Sequence, residues 1–215
     1  MEDKYIKQRE RMVDDQLIAR GIKEIRVLDV FRSIPRHLFV NESYRSQAYE
    51  DWPIPIGEGQ TISQPYIVAV MLELLKLRGH ERVLEVGTGS GYQTALLATL
   101  GCEVYTIERI PSLQESVKTI LKNLGLQNIY FKVGDGSQGW EEYGPYAGII
   151  VSAGAPETPQ PLLDQLEEGG RLVIPLGERS SQRLMTFTRK GQGFVQKDVM
   201  GCVFVPLLGD QGWKE

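Results

Sequence analysis

The run Val83-Leu84-Glu85-Val86 leads straight into Gly87-Thr88-Gly89-Ser90-Gly91, and Tyr92 follows with a stretch carrying Ala95, Leu96 and Ala98. A short apolar run bounded by glycine reads as a buried strand, and the stretch after it as a helix. Glycines at such a strand-to-helix turn let the backbone approach a ligand and aim its amides outward at the helix N-terminus. A tight turn with no ligand looks the same locally, so the flanking pattern must decide. That pattern repeats the rhythm. Glu103–Glu108 (EVYTIE) reads as a second strand, Leu113–Leu124 as a helix and Ile129–Val133 as a third strand. Tyr146–Val151 and Arg171–Leu176 read as two more, with a helix over about Gln160–Glu167 between them. Alternating strands and helices predict a parallel sheet covered on both faces. The tail differs: Arg183–Arg189, Gly191-Gln192-Gly193 and Phe194–Leu207 read as an antiparallel β-hairpin on the sheet edge. The fold class is therefore α/β, a doubly wound Rossmann-like sheet, mostly parallel, with a C-terminal antiparallel hairpin and an N-terminal helical extension.

The first eighty residues carry a separate pattern, so we divide the chain into residues 1–80, a helical extension with a substrate-side loop, and residues 81–215, the ligand-binding α/β part of one compact unit. Tyr5, Arg9, Met12, Val13, Gln16 and Leu17 fall at helical spacing, and Gly21 stops the pattern. A second helix is expected over Lys23–Ser33, ended by Pro35. Tyr49–Gly59 holds Pro53, Pro55, Gly57 and Gly59 and reads as an irregular loop. Pro65 opens an amphipathic helix through Leu77, since proline suits the first helical turn.

Composition narrows the function. In 215 residues, 24 Lys and Arg stand against 28 Asp and Glu, a net charge of −4. Such a chain has no field to hold a polyanion, and its basic run from Lys4 to Arg11, interrupted by Glu10, reads as a solvated helix face; nucleic acid is not an expected partner. No run approaches a membrane helix, and the charged start MEDKYIKQRER lacks the apolar stretch of a signal peptide, so the expected location is the cytoplasm. Cys102 and Cys202 lie far apart and read as buried thiols in a reducing compartment. No metal site is expected.

Two carboxylates extend the glycine signal along the same sheet edge. Glu108 closes the next strand, where an acidic side chain can accept hydrogen bonds from both ribose hydroxyls. Asp135, in Gly134-Asp135-Gly136, occupies the loop after the third strand and becomes an adenine-side candidate. A dinucleotide fingerprint, G-x-G-x-x-G, would require glycine where Tyr92 stands. Glu85, just before the glycines, would also be unwelcome beside a pyrophosphate. The loop therefore favours S-adenosylmethionine over NAD.

Several segments then resemble a known family. Gly59-Gln60-Thr61-Ile62-Ser63-Gln64-Pro65, upstream of the Leu84-to-Ala95 stretch, is similar to protein-L-isoaspartate O-methyltransferases. So are Pro35-Arg36-His37-Leu38-Phe39-Val40, Ala48-Tyr49-Glu50-Asp51 and Phe204-Val205-Pro206-Leu207, in the expected order over nearly the whole chain. The glycine loop is generic to methyltransferases; the TIS-x-P segment is specific to this family. The resemblance implies a class I enzyme that methylates the α-carboxylate of L-isoaspartyl residues, and D-aspartyl residues more weakly, in damaged proteins and peptides. The ester then closes to a succinimide whose hydrolysis restores some aspartate, and the cofactor product is S-adenosylhomocysteine. It implies Ser63 as the catalytic serine, also in contact with substrate. Thr61, Ile62, Glu85, Gly87, Thr88, Gly89, Gly91, Glu108, Arg109, Asp135 and Gly136 are the implied cofactor side. Asp51 and Val205, Pro206 and Leu207 are the implied substrate side. Leu208 stands where some family members carry a threonine near the cofactor.

The chemistry suits these residues. A carboxylate with an ordinary pKa near 3.9 is ionised at neutral pH and can attack a methyl sulfonium with no general base. That fits a chain with two histidines, His37 expected to pack beside Pro35 and Phe39, and His80 in a turn. Ser63 could orient the carboxylate or could instead cap the helix opened by Pro65. Tyr49 and Asp51 could line a lid or a packed connection, and Trp52 a core anchor or an exposed contact. A methyltransferase for a small metabolite, an NAD-dependent oxidoreductase and a non-catalytic nucleotide-binding module are the competing readings.

Overall fold

A computed structural model describes residues 5–214, so Lys4, which opens the basic run, lies outside the described residues. The chain begins with α1 (Ile6–Arg11), which widens into a π-type turn over Met12–Leu17 and tightens over Ile18–Arg20. Gly21 ends it at φ 95°, as the stop signal predicts. The second helix, α2 (Ile25–Ser33), starts two residues later than expected because Glu24 serves as its N-cap and accepts from the Arg26 amide. The segment read as an irregular loop contains regular structure: β1 (Ile54–Gly57) folds back on β2 (Gln60–Ile62) as a small hairpin. Its turn is supplied by the Pro/Gly cluster that hid the strands. Next comes α3 (Pro65–Leu75), with Pro65 in its first turn.

The sheet follows: β3 (Arg82–Val86), α4 (Tyr92–Thr99), β4 (Glu103–Glu108), α5 (Pro111–Asn123), β5 (Ile129–Val133), β6 (Tyr146–Val151), α6 (Gln160–Asp164), β7 (Leu166–Glu178), β8 (Ser181–Lys190) and β9 (Gly193–Cys202). Their order is β5-β4-β3-β6-β7-β8-β9, parallel as far as β7 and antiparallel through β8 and β9. Two expectations need correction. β7 starts well before Arg171, its Glu167-Glu168-Gly169-Gly170 start resembling a turn in sequence. The hairpin's last strand stops at Cys202 rather than Leu207; the chain then leaves β8 and Pro206 bridges to Gly154 instead.

Burial is nearly continuous along β3, β4 and β6, as a doubly covered sheet requires, and successive residues face opposite sides. Val83, Ile150 and Val173 join a core shared with residues of α2, α3 and α4, whereas Leu84, Val86, Ile149, Val151, Leu172 and Ile174 pack on the opposite face. Met12, Leu17, Phe31 and Met71 belong to the first of these cores, so the N-terminal helices cover one sheet face. Burying a large aliphatic side chain contributes roughly 1.5–3 kcal/mol, which fixes the extension against the sheet at the edge where the strands end.

Candidate active site

Strand order reverses between β3 and β6, and the cleft outside the carboxyl ends of such strands is where ligands bind in this architecture. A cavity opens there. One side is Gly87, Thr88, Gly89 and Ser90; another is Gln60, Thr61, Ile62 and Ser63; a third is Ser152, Ala153 and Val205 to Leu208. Glu108, Arg109, Ile110 and Gly136 close the end beyond β4.

The glycines serve different ends. Gly91 is the N-cap of α4 at φ 79°, and a Cβ there would collide with the Val117 side chain. It shapes the turn without lining the cavity. Gly136 has no unusual φ, but a Cβ on it would run into the Val86 side chain, so only glycine lets this loop lie against the end of β3.

Glu108, 6% exposed, spends one lone pair of each oxygen on the loops. Its Oε2 accepts from the Gly89 amide at 2.9 Å and its Oε1 from the Ile110 amide at 2.9 Å. A carboxylate offers about four acceptor positions, so two remain for a pair of hydroxyls, which is what a ribose diol presents. This fits the S-adenosylmethionine reading on geometry: close glycine backbone, a half-occupied carboxylate and an apolar end lined by Ile107, Ile110 and Leu208.

Besides Gly91, three expected contacts lie elsewhere. Glu85 is fully buried beneath the glycine loop and does not line the cavity. Its Oε2 accepts from the Thr94 hydroxyl at 2.5 Å and the Thr106 hydroxyl at 2.7 Å, and its Oε1 from Gln93 at 3.1 Å. Burial pushes this carboxyl up to about 7 against those hydrogen bonds, with the nearby Glu108 adding to the rise. Asp135 also turns away. Its Oδ1 accepts from the amide and hydroxyl of Ser137, and its Oδ2 from the Asp210 amide at 2.7 Å. Burial alone would raise the Asp135 carboxyl; the Asp210 amide, the Ser137 donors and Lys214 outweigh it and hold it below the usual value. Asp135 thus clasps the C-terminal segment, and its neighbour Gly136 lines the cavity in its place. Asp51 pairs with Arg20 at 2.6 Å, away from the cavity lining.

Ser63 follows β2, and Gln64, not Ser63, is the N-cap of α3, with no side-chain capping bond. The capping alternative therefore fails. The Ser63 carbonyl accepts from Arg36 Nη2 at 2.7 Å, while its half-buried hydroxyl has no hydrogen bond among the described residues. Opposite it, the Val205 carbonyl and Leu207 amide are taken by Gly154, both at 2.8 Å, and the Leu207 carbonyl by the Trp213 amide at 2.7 Å. The Pro206 carbonyl remains free among the described residues.

Neither histidine lines the cavity. His37 meets the Tyr49 hydroxyl at 2.8 Å and packs 4.1 Å from the Tyr5 ring. His80 sits in a turn at φ 69°. Trp52 is exposed. Both cysteines are free, and burial raises Cys102 to about 12 and Cys202 to about 11, far from thiolate reactivity at neutral pH. Among the described residues no cluster of His, Cys, Asp and Glu could hold a metal ion, and no helix is long and apolar enough to cross a membrane.

Sequence reasoning missed Ser152 and Ala153, which follow β6 on the same carboxyl edge and were readable from topology alone. It also missed Gln93, which joins Glu85 to Ser152 through bonds of 3.1 and 2.9 Å.

Comparison with known proteins agrees with this geometry. The profile of the protein-L-isoaspartate(D-aspartate) O-methyltransferase (PCMT) family matches residues 7–212. A protein-L-isoaspartate O-methyltransferase of Trichlorobacter lovleyi is 54% identical over 207 residues, 96% of this chain and 95% of that protein. One from Dictyoglomus thermophilum is 52% identical over 211 residues, 98% of this chain and 96% of its own. Among solved structures, a protein-L-isoaspartate O-methyltransferase superposes with a TM-score of 0.85 at 31% identity, covering 95% of this chain and 67% of that one. A Plasmodium falciparum structure named as a beta-aspartate methyltransferase, in complex with S-adenosyl-L-homocysteine, gives 0.81 at 28% identity, covering 96% and 99%. With a glycine-loop cavity at the switch point, a free serine hydroxyl facing it and matches along almost its full length, the chain belongs to the protein-L-isoaspartate(D-aspartate) O-methyltransferase family.

Proposed function

We propose that this chain methylates the α-carboxylate of L-isoaspartyl residues, and D-aspartyl residues more weakly, in damaged proteins and peptides, using S-adenosylmethionine. The observation that carries the proposal is Ser63: its hydroxyl has no hydrogen bond among the described residues, and the residue lines the same cavity as the glycine loop and the Val205-to-Leu207 segment. Bound S-adenosylmethionine would supply an electrophilic methyl on a sulfonium and leave as S-adenosylhomocysteine. Gly87, Thr88 and Gly89 would face its amino-acid end, Glu108 its ribose diol and Gly136 its adenine, with Thr61, Ile62 and Arg109 along its length. Residues 1–80 provide the helical extension and substrate-side loop, residues 81–215 most of the cofactor side, with Val205 to Leu207 facing the acceptor.

The chain's own contribution is alignment. The acceptor carboxylate is already ionised at neutral pH, so no group has to remove a proton. The Ser63 hydroxyl donates one hydrogen bond, turning a carboxylate oxygen toward the methyl without quenching its charge. The free Pro206 carbonyl offers an acceptor for a substrate amide, which suits an extended peptide better than a small metabolite. Opposite charges merge in this reaction, so a site that fixes the two groups and limits hydration gains mainly from proximity and desolvation. The product ester closes to a succinimide without further help from the protein.

The test offers methyl-labelled S-adenosylmethionine to matched peptides containing isoaspartate or aspartate. Base-labile label on the isoaspartyl peptide alone supports the reading. Equal label on both, or none on either, overturns it.

A further inference from the structure

Arg36 is wholly buried, bridging the Ala48 and Ser63 backbone to the Tyr92 ring at the start of α4. Its Nε donates to the Ala48 carbonyl at 2.8 Å and its Nη2 to the Ser63 carbonyl at 2.7 Å. Nη1 reaches no partner among the described residues. Its guanidinium carbon sits 4.8 Å above the ring of Tyr92, which lines the cavity and whose hydroxyl is also buried without a partner. No ion pair involves Arg36 among the described residues, and Asp51, the acid nearest in its electrostatics, is engaged by Arg20.

Such a group is expensive. A buried guanidinium forfeits several kcal/mol of hydration, and the usual compensation is a carboxylate with well-placed hydrogen bonds. Holding two carbonyls does not call for a charge; neutral donors do that at lower desolvation cost. Burial draws Arg36 down to about 10, which still leaves it protonated at neutral pH. Among the described residues Arg109 is the one basic residue lining the cavity, and it lies beyond β4; Arg9, which acts on Tyr92 beside Arg36, does not line it. The chain as a whole is net negative. An anionic acceptor arriving at Ser63 would complete what Arg36 lacks.

We propose that Arg36 is the positioning residue of the acceptor side, holding Ser63 through its carbonyl and supplying, behind it, the positive field that draws in the acceptor carboxylate. This rests on the carboxyl methylation argued above and adds the group that recognises the acceptor's charge. The field favours the ionised acceptor most before transfer, because the carboxylate loses its charge as it meets the sulfonium. Arg36 therefore acts on binding of the acceptor rather than on the transfer step.

The experiment compares Arg36→Gln and Arg36→Lys by steady-state kinetics on an isoaspartyl peptide and by calorimetry with S-adenosylhomocysteine. Arg36→Gln keeps a hydrogen-bond donor and loses the charge. It is expected to raise KM for the peptide by about tenfold or more, with kcat within about threefold and S-adenosylhomocysteine affinity within about twofold. Arg36→Lys is expected to recover most of that KM. Equal KM increases in both variants, or a fall in kcat at unchanged KM, would overturn the proposal in favour of a scaffolding role. A measurement on the unaltered protein stands whether or not the variants fold: Kd for the isoaspartyl peptide against Kd for the same peptide with an α-carboxamide. The carboxylate is expected to bind about tenfold tighter or better, and equal values would overturn the proposal. A protein that methylates isoaspartate yet fails these comparisons sinks the role of Arg36 alone; one that never methylates it sinks the functional reading.

Discussion

Replacing Glu85 by glutamine is expected to make the protein more stable above neutrality, although it alters the most enclosed carboxyl of the cofactor half. Burial raises the folded-state pKa from 4.5 to about 7, so between those values the folded chain holds a proton that the unfolded chain has released. Stability then falls as pH rises through this window, since the unfolded state binds fewer protons. At about 1.36 kcal/mol per pKa unit the loss amounts to about 3 kcal/mol, complete a little above pH 7. Glutamine removes the titration and can satisfy the same neighbours. Its oxygen can accept from Thr94 and Thr106, and its amide nitrogen can donate to the oxygen of a flipped Gln93, which then also accepts from the Ser152 hydroxyl that Nε2 now meets. Urea denaturation of both proteins from pH 4.5 to 8.5, without cofactor, measures the difference directly. The gap between Glu85→Gln and the parent is expected to widen in the variant's favour by about 3 kcal/mol across that range. Parallel pH profiles, or a variant that loses ground as pH rises, would refute the reasoning.

The other predictions concern the site. Ser63→Ala is expected to lower kcat on isoaspartyl peptide by at least about tenfold while leaving S-adenosylhomocysteine affinity within about twofold, checked by methyl-transfer assay and calorimetry. Glu108→Gln points an N–H at either the Gly89 or the Ile110 amide and weakens the ribose contact, so calorimetry is expected to show S-adenosylhomocysteine binding weaker by about 1.5–3 kcal/mol. Asp135→Asn removes charge and one acceptor from the clasp on Asp210 and Ser137; hydrogen exchange is expected to quicken at 209–213 while the β3–β4 amides stay protected.

Most of the sheet could be read from the chain because its parallel strands are short runs rich in apolar and β-branched residues bounded by turn signals. Glu103–Glu108, Ile129–Val133 and Tyr146–Val151 fall as expected to the residue. Failures came where local chemistry has two readings. The prolines and glycines of residues 53–59 read as irregular, yet the chain there pairs Ile54 with Ile62. The polar, glycine-containing start of β7 read as a turn. Within the cavity lining, Gly87, Gly89 and Glu108 were legible by place, since strand-end glycines and the acid after β4 follow from local strand and turn signals. Side chains with a choice of partners were not. Asp135 and Glu85 stand where cofactor ligands were expected and are instead held by Asp210 and Ser137, and by Thr94, Thr106 and Gln93.

Order along the chain alone was enough to establish a parallel sheet, a glycine loop at the end of its first strand and the position of Glu108, because strand period, turn chemistry and spacing are local properties. What each carboxylate does with its oxygens is not local. Asp135 is claimed by a segment 75 residues further on, and Arg36 reaches Ser63 across 27 residues. Burial, which decides whether Glu85 keeps its proton and whether Arg36 lies behind the serine with no ion pair among the described residues, arises only when segments distant in the chain pack together.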